Sequence, residues 1–398
     1  MVYKKEYLIS CFIASLIFFF DFLQMNILNT CGKYFIEKFS LSAWEYGLFS
    51  SLYFYCMLPM FLVAGILLDK YSVRSIIICI AGIYATCSKF LAFADNFLVA
   101  CVCRGGAGAC GGFCLLSVIV LMCKYFGKDN ISLLSGIAVS IGMCGGICAQ
   151  TPLEITLEKV GFNNSLLLNF CIALFIFMIT FFIKDDFKYF SQKRNRQKRI
   201  TARNFVGITK LGICAGLLFV PVSSLCGLFG IEYCAHCYNI TRSAASVATG
   251  LIFVGMIVGS SFWGTLCDNK RSLLFGNIII LICLVLLAKN LYIHLLMLYA
   301  EMFVLGFACA SQVVVFAIIS RKSSPDSIGT NEGIVSSAIM LMSALTQSCL
   351  PIVLDKLSIS NGIFVLISIM AANLFFCYIL QKHRRIILCS NEAVSQFT

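Results

Sequence analysis

The sequence predicts an all-α membrane protein of twelve transmembrane helices, arranged as two pseudo-symmetric six-helix bundles. First, 60% of the 398 residues are hydrophobic and only 12% are charged, whereas soluble domains carry about 25% charge. Second, the apolar residues fall in blocks of about twenty, the length that crosses about 30 Å of hydrocarbon. Third, one long basic stretch divides these blocks six and six. Lipid is therefore the expected solvent for most of the surface.

Twelve apolar blocks can be placed along the chain. They lie at 7–29, 45–68, 75–95, 97–123, 131–152, 164–183, 207–232, 243–266, 272–289, 293–319, 333–354 and 362–381. Lys4 and Lys5 precede the first block as in a signal peptide. Because no small-residue cleavage site follows, we expect this block to be retained as the first helix.

The distribution of basic residues predicts the orientation in the membrane. Most of the 30 lysines and arginines lie in the loops and ends that share a side with both termini. The other side holds Lys33, Lys38, Lys89, Lys159, Arg242, Lys289 and Lys356. Since cytoplasmic loops carry the excess of basic residues, we expect both termini in the cytoplasm and the protein in the inner, or cell, membrane.

The chain divides at its longest hydrophilic stretch. Residues 184–206 contain the run KRNRQKR and are expected to form a cytoplasmic basic linker between the bundles 1–183 and 207–398, the second ending in a short cytoplasmic tail. Three pairs support a duplication, each separated by 199 residues: Gly65 and Gly264, Asp69 and Asp268, Pro152 and Pro351. Paired bundles of this kind favour a transporter over a channel or a membrane-bound enzyme.

A motif follows the second apolar block. The segment 65–74 reads GILLDKYSVR and resembles the signature G-x3-D-(R/K)-x-G-x-(R/K) of the major facilitator superfamily, with Ser72 in place of the second glycine. The resemblance implies a conformational gate formed by Gly65, Asp69, Lys70 and Arg74. Its shortened second copy follows the eighth block and implies a matching role for Gly264, Asp268 and Arg271.

The fourth block supports the same resemblance. It carries Arg104 followed by Gly108, similar to an R-x-x-x-G motif in which the superfamily's arginine faces the central cavity, and the fifth block is rich in glycine before Pro152. The chain as a whole looks like bacterial members that import metabolites. The resemblance implies alternating access. Because the sequence contains no P-loop for nucleotide hydrolysis, we expect an existing ion gradient to drive it.

Three ionisable residues stand out at mid-membrane depth within the apolar blocks, namely Asp21, Arg104 and Glu301. Such residues cost about 2.5–3.5 kcal/mol on insertion scales and are functional candidates. Counting about 1.5 Å per residue places all three at a similar depth, so we expect Asp21 and Arg104 to approach one another or share a water. In the functional interpretation, the carboxylate of Asp21 or Glu301 takes up and releases a proton. Arg104 either competes with the proton for the negative charge of that carboxylate or holds an anionic group of the solute. A fixed polar pair that orients the helices is the alternative.

Uncharged polar residues at cavity depth form the remaining candidates. They are Gln24, Asn26, Gln150, Gln312 and Gln347. Amide groups suit a polar solute, although each could equally hold a neighbouring helix at about 0.6 kcal/mol. Gln150 and Gln347 are the stronger candidates because each precedes one of the paired prolines.

The preferred function is therefore a proton-coupled secondary transporter of a small polar or anionic solute. An exporter of hydrophobic compounds with the same fold is the alternative, and a non-transporting membrane sensor is a third. No enzyme motif, cofactor or metal site is predicted, and the net charge of +12 lies in short loops rather than on a nucleic-acid-binding face. The expected partners are a solute, protons and the lipid bilayer, and the expected state is a monomer.

Overall fold

A computed structural model describes residues 2–126, 131–184, 202–265, 271–289, 294–322 and 328–382. In this part of the chain there are α-helices and no β-strand. The helices are α1 (Val2–Phe39), α2 (Ala43–Lys70), α3 (Val73–Ala92), α4 (Phe97–Phe126), α5 (Ile131–Cys148), α6 (Thr151–Val160), α7 (Phe162–Thr180), α8 (Ala202–Ser224), α9 (Gly230–Cys237), α10 (Arg242–Thr265), α11 (Arg271–Ala288), α12 (Leu295–Cys309), α13 (Val313–Lys322), α14 (Ile328–Leu357) and α15 (Asn361–Lys382).

Twelve stretches of these residues are long and apolar enough to cross a membrane, which confirms the predicted number. Three spans are interrupted. The fifth consists of α5 and α6; the seventh of α8, a π-helical turn at Leu225–Phe229 and α9; the tenth of α12, a 3-10 turn at Ala310–Gln312 and α13.

The ends of several spans differ from the prediction. The first span runs to Phe39 rather than 29, and the seventh to Cys237 rather than 232. The fifth reaches Val160 instead of ending at 152, because Pro152 occupies the first turn of α6, where its missing N–H costs nothing. Charged residues beyond the proline had suggested a loop.

The two halves repeat one packing pattern. In the N-terminal half α1 packs on α5, α2 on α4 and α3 on α7; in the C-terminal half α8 packs on α14, α10 on α12 and α11 on α15. The halves meet where α2 contacts α14, α5 and α6 contact α10, and α1 contacts the π-helical turn. The boundaries 1–183 and 207–398 remain predictions, since linker residues 185–201 and tail residues 383–398 lie outside the described residues.

Two faces of the molecule follow from this order. We call the face at which Lys70, Lys124 and Lys184 lie the basic face, and the other one the opposite face. Lys184 contacts Glu6 of α1 at 2.9 Å, which brings the end of the sixth span to the beginning of the first. Helices α1 and α3 therefore run from the basic to the opposite face, and α2 and α4 run back.

Close approach between helices requires glycine at equivalent places in both halves. A Cβ on Gly108 of α4 would lie 2.1 Å from the backbone oxygen of Tyr53 in α2. A Cβ on Gly306 of α12 would lie 1.9 Å from the backbone oxygen of Ile252 in α10. Small residues of this kind let membrane helices pack backbone to backbone.

Replacing Gly108 with alanine should therefore lower the thermal unfolding temperature of the detergent-purified protein. The added methyl group meets backbone atoms, and overpacking of this type costs about 1–3 kcal/mol. Gly136→Ala is the matched control, because no described atom lies within 4 Å of its Cβ position. Equal unfolding temperatures for the two variants would contradict the packing argument.

Candidate functional site

Asp21 lies near the middle of α1 and is enclosed by the N-terminal half. Its Oδ1 accepts hydrogen bonds from the hydroxyl groups of Tyr53 in α2 and, at 2.7 Å, of Tyr84 in α3. Gly111 of α4 covers the same oxygen, where a Cβ would come within 2.5 Å. The second oxygen, Oδ2, is buried and has no hydrogen-bond partner among the described residues. One carboxylate oxygen is thus satisfied and the other is not.

Arg104 lies on the other side of Tyr53. Its guanidinium carbon is 4.6 Å from the centre of the Tyr53 ring, the arrangement of a cation–π contact. The guanidinium donates to the backbone oxygens of Gln24 and, at 3.2 Å, Met25 in α1. No ion pair joins Asp21 and Arg104, both of which are described. Instead Tyr53 contacts both, with its hydroxyl on the acid and its ring under the guanidinium. We call Asp21, Tyr53, Tyr84 and Arg104 the Asp21 cluster.

The other predicted polar residues separate into groups. Gln24 stays within the N-terminal half, where its Nε2 donates to Ser88 at 3.3 Å. Asn26 donates to the Phe22 backbone oxygen at 2.8 Å. Glu301 is buried on α12 of the C-terminal half and forms no ion pair with Arg104, and Gln312 is buried in the 3-10 turn of that half. Neither therefore joins the Asp21 cluster, despite their predicted common depth.

The π-helical turn at Leu225–Phe229 interrupts the α-helical pattern of the seventh span, and amide side chains bond backbone groups in and around it. Gln347 Nε2 donates to the Ser223 oxygen at 2.7 Å, and Gln150 Nε2 donates to the Cys226 oxygen at 2.9 Å. The N–H of Ile231 donates to Asn29 Oδ1 at 3.2 Å. Backbone groups cannot remain unpaired in lipid, so these bonds stabilise the break.

Two of these amides bond one another within the N-terminal half, and Gln150 also bonds a hydroxyl group of the C-terminal half. Gln150 Oε1 accepts from Asn29 Nδ2 at 2.7 Å and from the Thr249 hydroxyl at 2.9 Å. Gln150 is fully buried, and both of its amide groups are used. We call Asn29, Gln150 and Gln347 the amide cluster.

An ion-pair latch lies nearer the opposite face. Arg242 Nε is 2.7 Å from Glu154 Oε1 in the N-terminal half, and Arg242 also pairs with Glu232. Its Nη2 donates to the Thr30 oxygen of α1 at 3.2 Å. The Glu154 side chain is only 1% exposed. Arg242 was predicted to lie in a loop, and neither Glu154 nor Glu232 was predicted to be a site residue. A carboxylate two residues beyond Pro152, next to an apolar stretch, was the available signal.

Further bonds between the halves lie closer to mid-span. Ser348 of α14 donates to the Tyr55 hydroxyl at 3.2 Å, and Ser337 donates to the Leu58 backbone oxygen at 3.1 Å. Together with the amide cluster and the latch, these contacts join the halves from the opposite face to beyond the middle of the spans. The two halves are therefore bonded to one another at the opposite face.

The residues of the gating motif that the structure describes lie near the surface. Among the described residues nothing lies within 4 Å of a Cβ on Gly65 or Gly264, so neither glycine approaches another described helix closely. Arg74 Nη2 donates to the Phe181 oxygen at 2.9 Å and thereby bonds the end of α7. Lys70 and Arg271 are exposed. The side chain of Asp69 and residue Asp268 lie outside what is described.

Twelve spans in two similar halves, joined along an interface of bonded amides and an ion-pair latch, define a two-bundle membrane transporter. The chain belongs to the Major Facilitator Superfamily, whose family model matches residues 14–225 and 211–389. It is an integral, multi-pass membrane protein.

Similar solved structures share this fold. One is a bacterial homologue of the human lysosomal transporter Spinster, inward-facing and unoccupied, with a TM-score of 0.75 and 12% identity over 97% of this chain and 98% of that one. Another is such a homologue, inward-facing and occupied, with a TM-score of 0.71 and 13% identity over 94% and 96% of the two chains. No curated protein matches the chain by sequence.

Proposed function

We propose that this chain is a secondary transporter that moves a small polar solute by alternating access, with a proton exchanged at Asp21 as the driving ion. The observation that carries the proposal is the Asp21 cluster. A buried carboxylate has two tyrosine donors on one oxygen and no described partner on the other. A charged carboxylate at this depth is costly unless it is neutralised or paired, which favours reversible protonation over a purely structural role.

Helix α1 can couple this proton to the amide cluster. Along this helix lie Asp21, then the backbone oxygens of Gln24 and Met25 that accept from Arg104, and then Asn29 of the amide cluster. Eight residues separate Asp21 from Asn29, which is about 12 Å of helix. A change in charge at Asp21 alters the bonds that position α1, and α1 in turn positions the amide cluster. Protonation and closure of the opposite face are therefore linked through one rigid element.

The contacts of Arg104 bear on whether the solute must be negatively charged. Its guanidinium donates into α1 of its own half and stacks on Tyr53, so in this conformation it does not point toward the C-terminal half. A role in positioning α1 next to Asp21 fits these contacts better than direct binding of an anionic solute. We accordingly favour a polar solute without a requirement for negative charge.

Export remains a second candidate, because one observation favours it. Phe22 of α1 and Phe253 of α10 meet across the interface with ring centres 6.4 Å apart, and aromatic side chains beside an acid suit hydrophobic compounds. Solute flux in proteoliposomes with a proton gradient of either sign distinguishes the two. Uptake toward the acidic side supports proton antiport, and uptake away from it supports import by symport.

Orientation is proposed from the charge distribution, with the basic face in the cytoplasm. The expected result is that an alkaline phosphatase fusion after residue 240 is active on the outer side of the membrane. The same fusion at the carboxyl terminus should be inactive, whereas a fluorescent protein placed there should fold and fluoresce. An active phosphatase at the carboxyl terminus would show that the orientation is the reverse of the proposed one. The latch would then lie on the cytoplasmic side.

A further inference from the structure

A groove runs along the outer surface of the N-terminal half, between α3 and α7. Its volume is about 590 Å³, within the range of about 300–1,000 Å³ that is usual for small-molecule sites. The α7 side is apolar and is formed by Phe170, Leu174 and Phe177. On the α3 side the hydroxyl of Thr86 already donates to the backbone oxygen of Gly82 at 2.8 Å. The groove is therefore an apolar surface for most of its length.

Small residues of α3 leave this space. Gly82 and Ala85 line the groove, and a Cβ on Gly82 would lie 3.3 Å from the ring of Phe177. The same positions 199 residues later lie in α11, which packs on α15 as α3 packs on α7, and they hold Leu281 and Leu284. The small side chains are thus a property of the N-terminal half and not of the repeated fold.

The groove has the length of one leaflet of the membrane. Its α3 residues extend from Cys79 to Phe90, 11 residues further on, which is about 16 Å of helix. The hydrocarbon core is about 30 Å thick, so the groove crosses about half of it. Because α3 runs from the basic to the opposite face and ends at Ala92, this is the half that adjoins the opposite face.

A cation lies where the groove reaches the opposite face. Lys89 is the one charged residue that lines the groove, and it belongs to the last turn of α3. Its side chain is exposed, and no described residue forms an ion pair with it. The next acid along the chain, Asp95, contacts Lys38 instead, at 4.0 Å. Basic residues at a membrane surface attract anionic lipid headgroups, so the groove ends at a place suited to a phosphate group.

We infer that this groove binds an anionic phospholipid of the leaflet at the opposite face, with one acyl chain between α3 and α7 and the phosphate on Lys89. A headgroup of net negative charge is preferred, because the lining residues include a cation and no acid that would pair with the amine of a zwitterionic headgroup. The inference concerns the outer surface of the N-terminal half and depends neither on the solute nor on proton coupling.

The groove lies behind the segment of α3 that supports the Asp21 cluster. Tyr84 donates to Asp21 at 2.7 Å, and Ser88 accepts from Gln24 at 3.3 Å. Two residues separate Tyr84 from Thr86, which is about 200° of rotation around the helix, so these contacts and the groove lie on opposite sides of α3. A lipid in the groove therefore packs against the outer side of this segment.

The test is photocrosslinking of the full chain in nanodiscs of phosphatidylcholine that contain a trace of a lipid probe. The two probes are phosphatidylglycerol and phosphatidylcholine with the same diazirine-bearing acyl chain, and peptide mapping by mass spectrometry locates the adducts. We expect the phosphatidylglycerol probe to label α3 and α7 about fivefold more than the phosphatidylcholine probe, the factor for one lysine near an anionic lipid. Peptides of α11 and α15 are the internal reference. Equal labelling by the two probes, or the same preference on α11 and α15, overturns the inference.

Variants separate the headgroup from the groove. Lys89→Gln should abolish the preference for phosphatidylglycerol and leave labelling by phosphatidylcholine unchanged. Thr86→Phe should lower labelling of α3 and α7 by phosphatidylglycerol to the level of phosphatidylcholine or below, because the larger side chain fills the groove from an exposed position. Lys289→Gln is the matched control, since this exposed lysine follows α11 at the equivalent end of the other half, and the preference should persist. An unchanged preference in Lys89→Gln, unchanged labelling in Thr86→Phe, or an equal loss in Lys289→Gln overturns the inference.

Discussion

Replacing Arg242 with glutamine should open the opposite face of the transporter. The substitution removes the cation that pairs with Glu154, whose side chain is 1% exposed, and with Glu232. Loss of one partner from a buried ion pair costs about 3–5 kcal/mol. Even a third of that cost, allowing for the partial exposure of Arg242, shifts an equilibrium about tenfold. The closed conformation loses this stabilisation, whereas a conformation that hydrates Glu154 does not.

Two native cysteines report the opening. Cys226 lies in the π-helical turn of the seventh span and Cys31 in α1 near the latch, and both are fully buried. We expect a membrane-impermeant maleimide to modify them at least about tenfold faster in Arg242→Gln than in the unaltered protein. Peptide mapping by mass spectrometry separates these two sites from the other cysteines of the chain.

A control with the same loss of charge is available on the same face. Lys33 forms an exposed ion pair with Glu37 at 4.0 Å, and exposed pairs contribute little, so Lys33→Gln should leave the labelling rate unchanged. Adding Glu154→Gln to Arg242→Gln should slow labelling again, because no unpaired charge then remains at that position. Equal labelling in Arg242→Gln and Lys33→Gln would show that the latch does not hold the face closed.

The twelve spans were predictable because a helix that crosses lipid must be apolar along its length, and this hydrophobicity is visible in the local sequence. Each span needs about twenty apolar residues, and such blocks stand out without knowledge of their neighbours. The ends of the spans were less predictable where a charged residue of one half pairs with an opposite charge of the other half. Glu154 lies in the fifth span only because Arg242, 88 residues later, meets it. A local reading of the sequence sees a charged residue after a proline and ends the helix.

The depth of the candidate site residues along their helices could be predicted from the sequence, but the contacts between their side chains could not. Distance along the helices brought Asp21 and Arg104 to one level, yet Tyr53, which contacts both, was indistinguishable from any other aromatic residue of an apolar block. Gln150 and Gln347 were chosen for their nearness to the paired prolines. Their contacts have another cause, since both bond backbone oxygens of the broken seventh span, and a π-helical turn leaves no simple sequence signal.

Replacing Asp21 with asparagine should make closure of the opposite face independent of pH. The amide has the size of the acid, can still accept from Tyr53 and Tyr84, and corresponds to the uncharged form at every pH. Because a maleimide reacts with the thiolate, each labelling rate is divided by the rate for the denatured protein at the same pH. If proton exchange at Asp21 acts on the amide cluster through α1, this normalised labelling of Cys226 in the unaltered protein should change between neutral and mildly acidic solution. The Asp21→Asn variant should show one constant normalised rate, equal to that of the unaltered protein at the acidic end.

This direction follows from charge alone and requires no knowledge of the solute. Acidification neutralises Asp21, so the permanently neutral variant must match the acidic limit rather than the neutral one. Glu301→Gln is the matched control, because Glu301 is a buried acid of the other half that forms no bond with the Asp21 cluster, and we expect it to keep the pH dependence. In transport, Asp21→Asn should lose at least about tenfold in gradient-driven accumulation while retaining solute exchange, since only the uphill step consumes the proton gradient. If Asp21→Asn instead titrated like the unaltered protein, the proton would not act at Asp21. If Glu301→Gln alone abolished the pH response, the proton would be assigned to the C-terminal half, and α1 would only join the amide cluster to its own bundle.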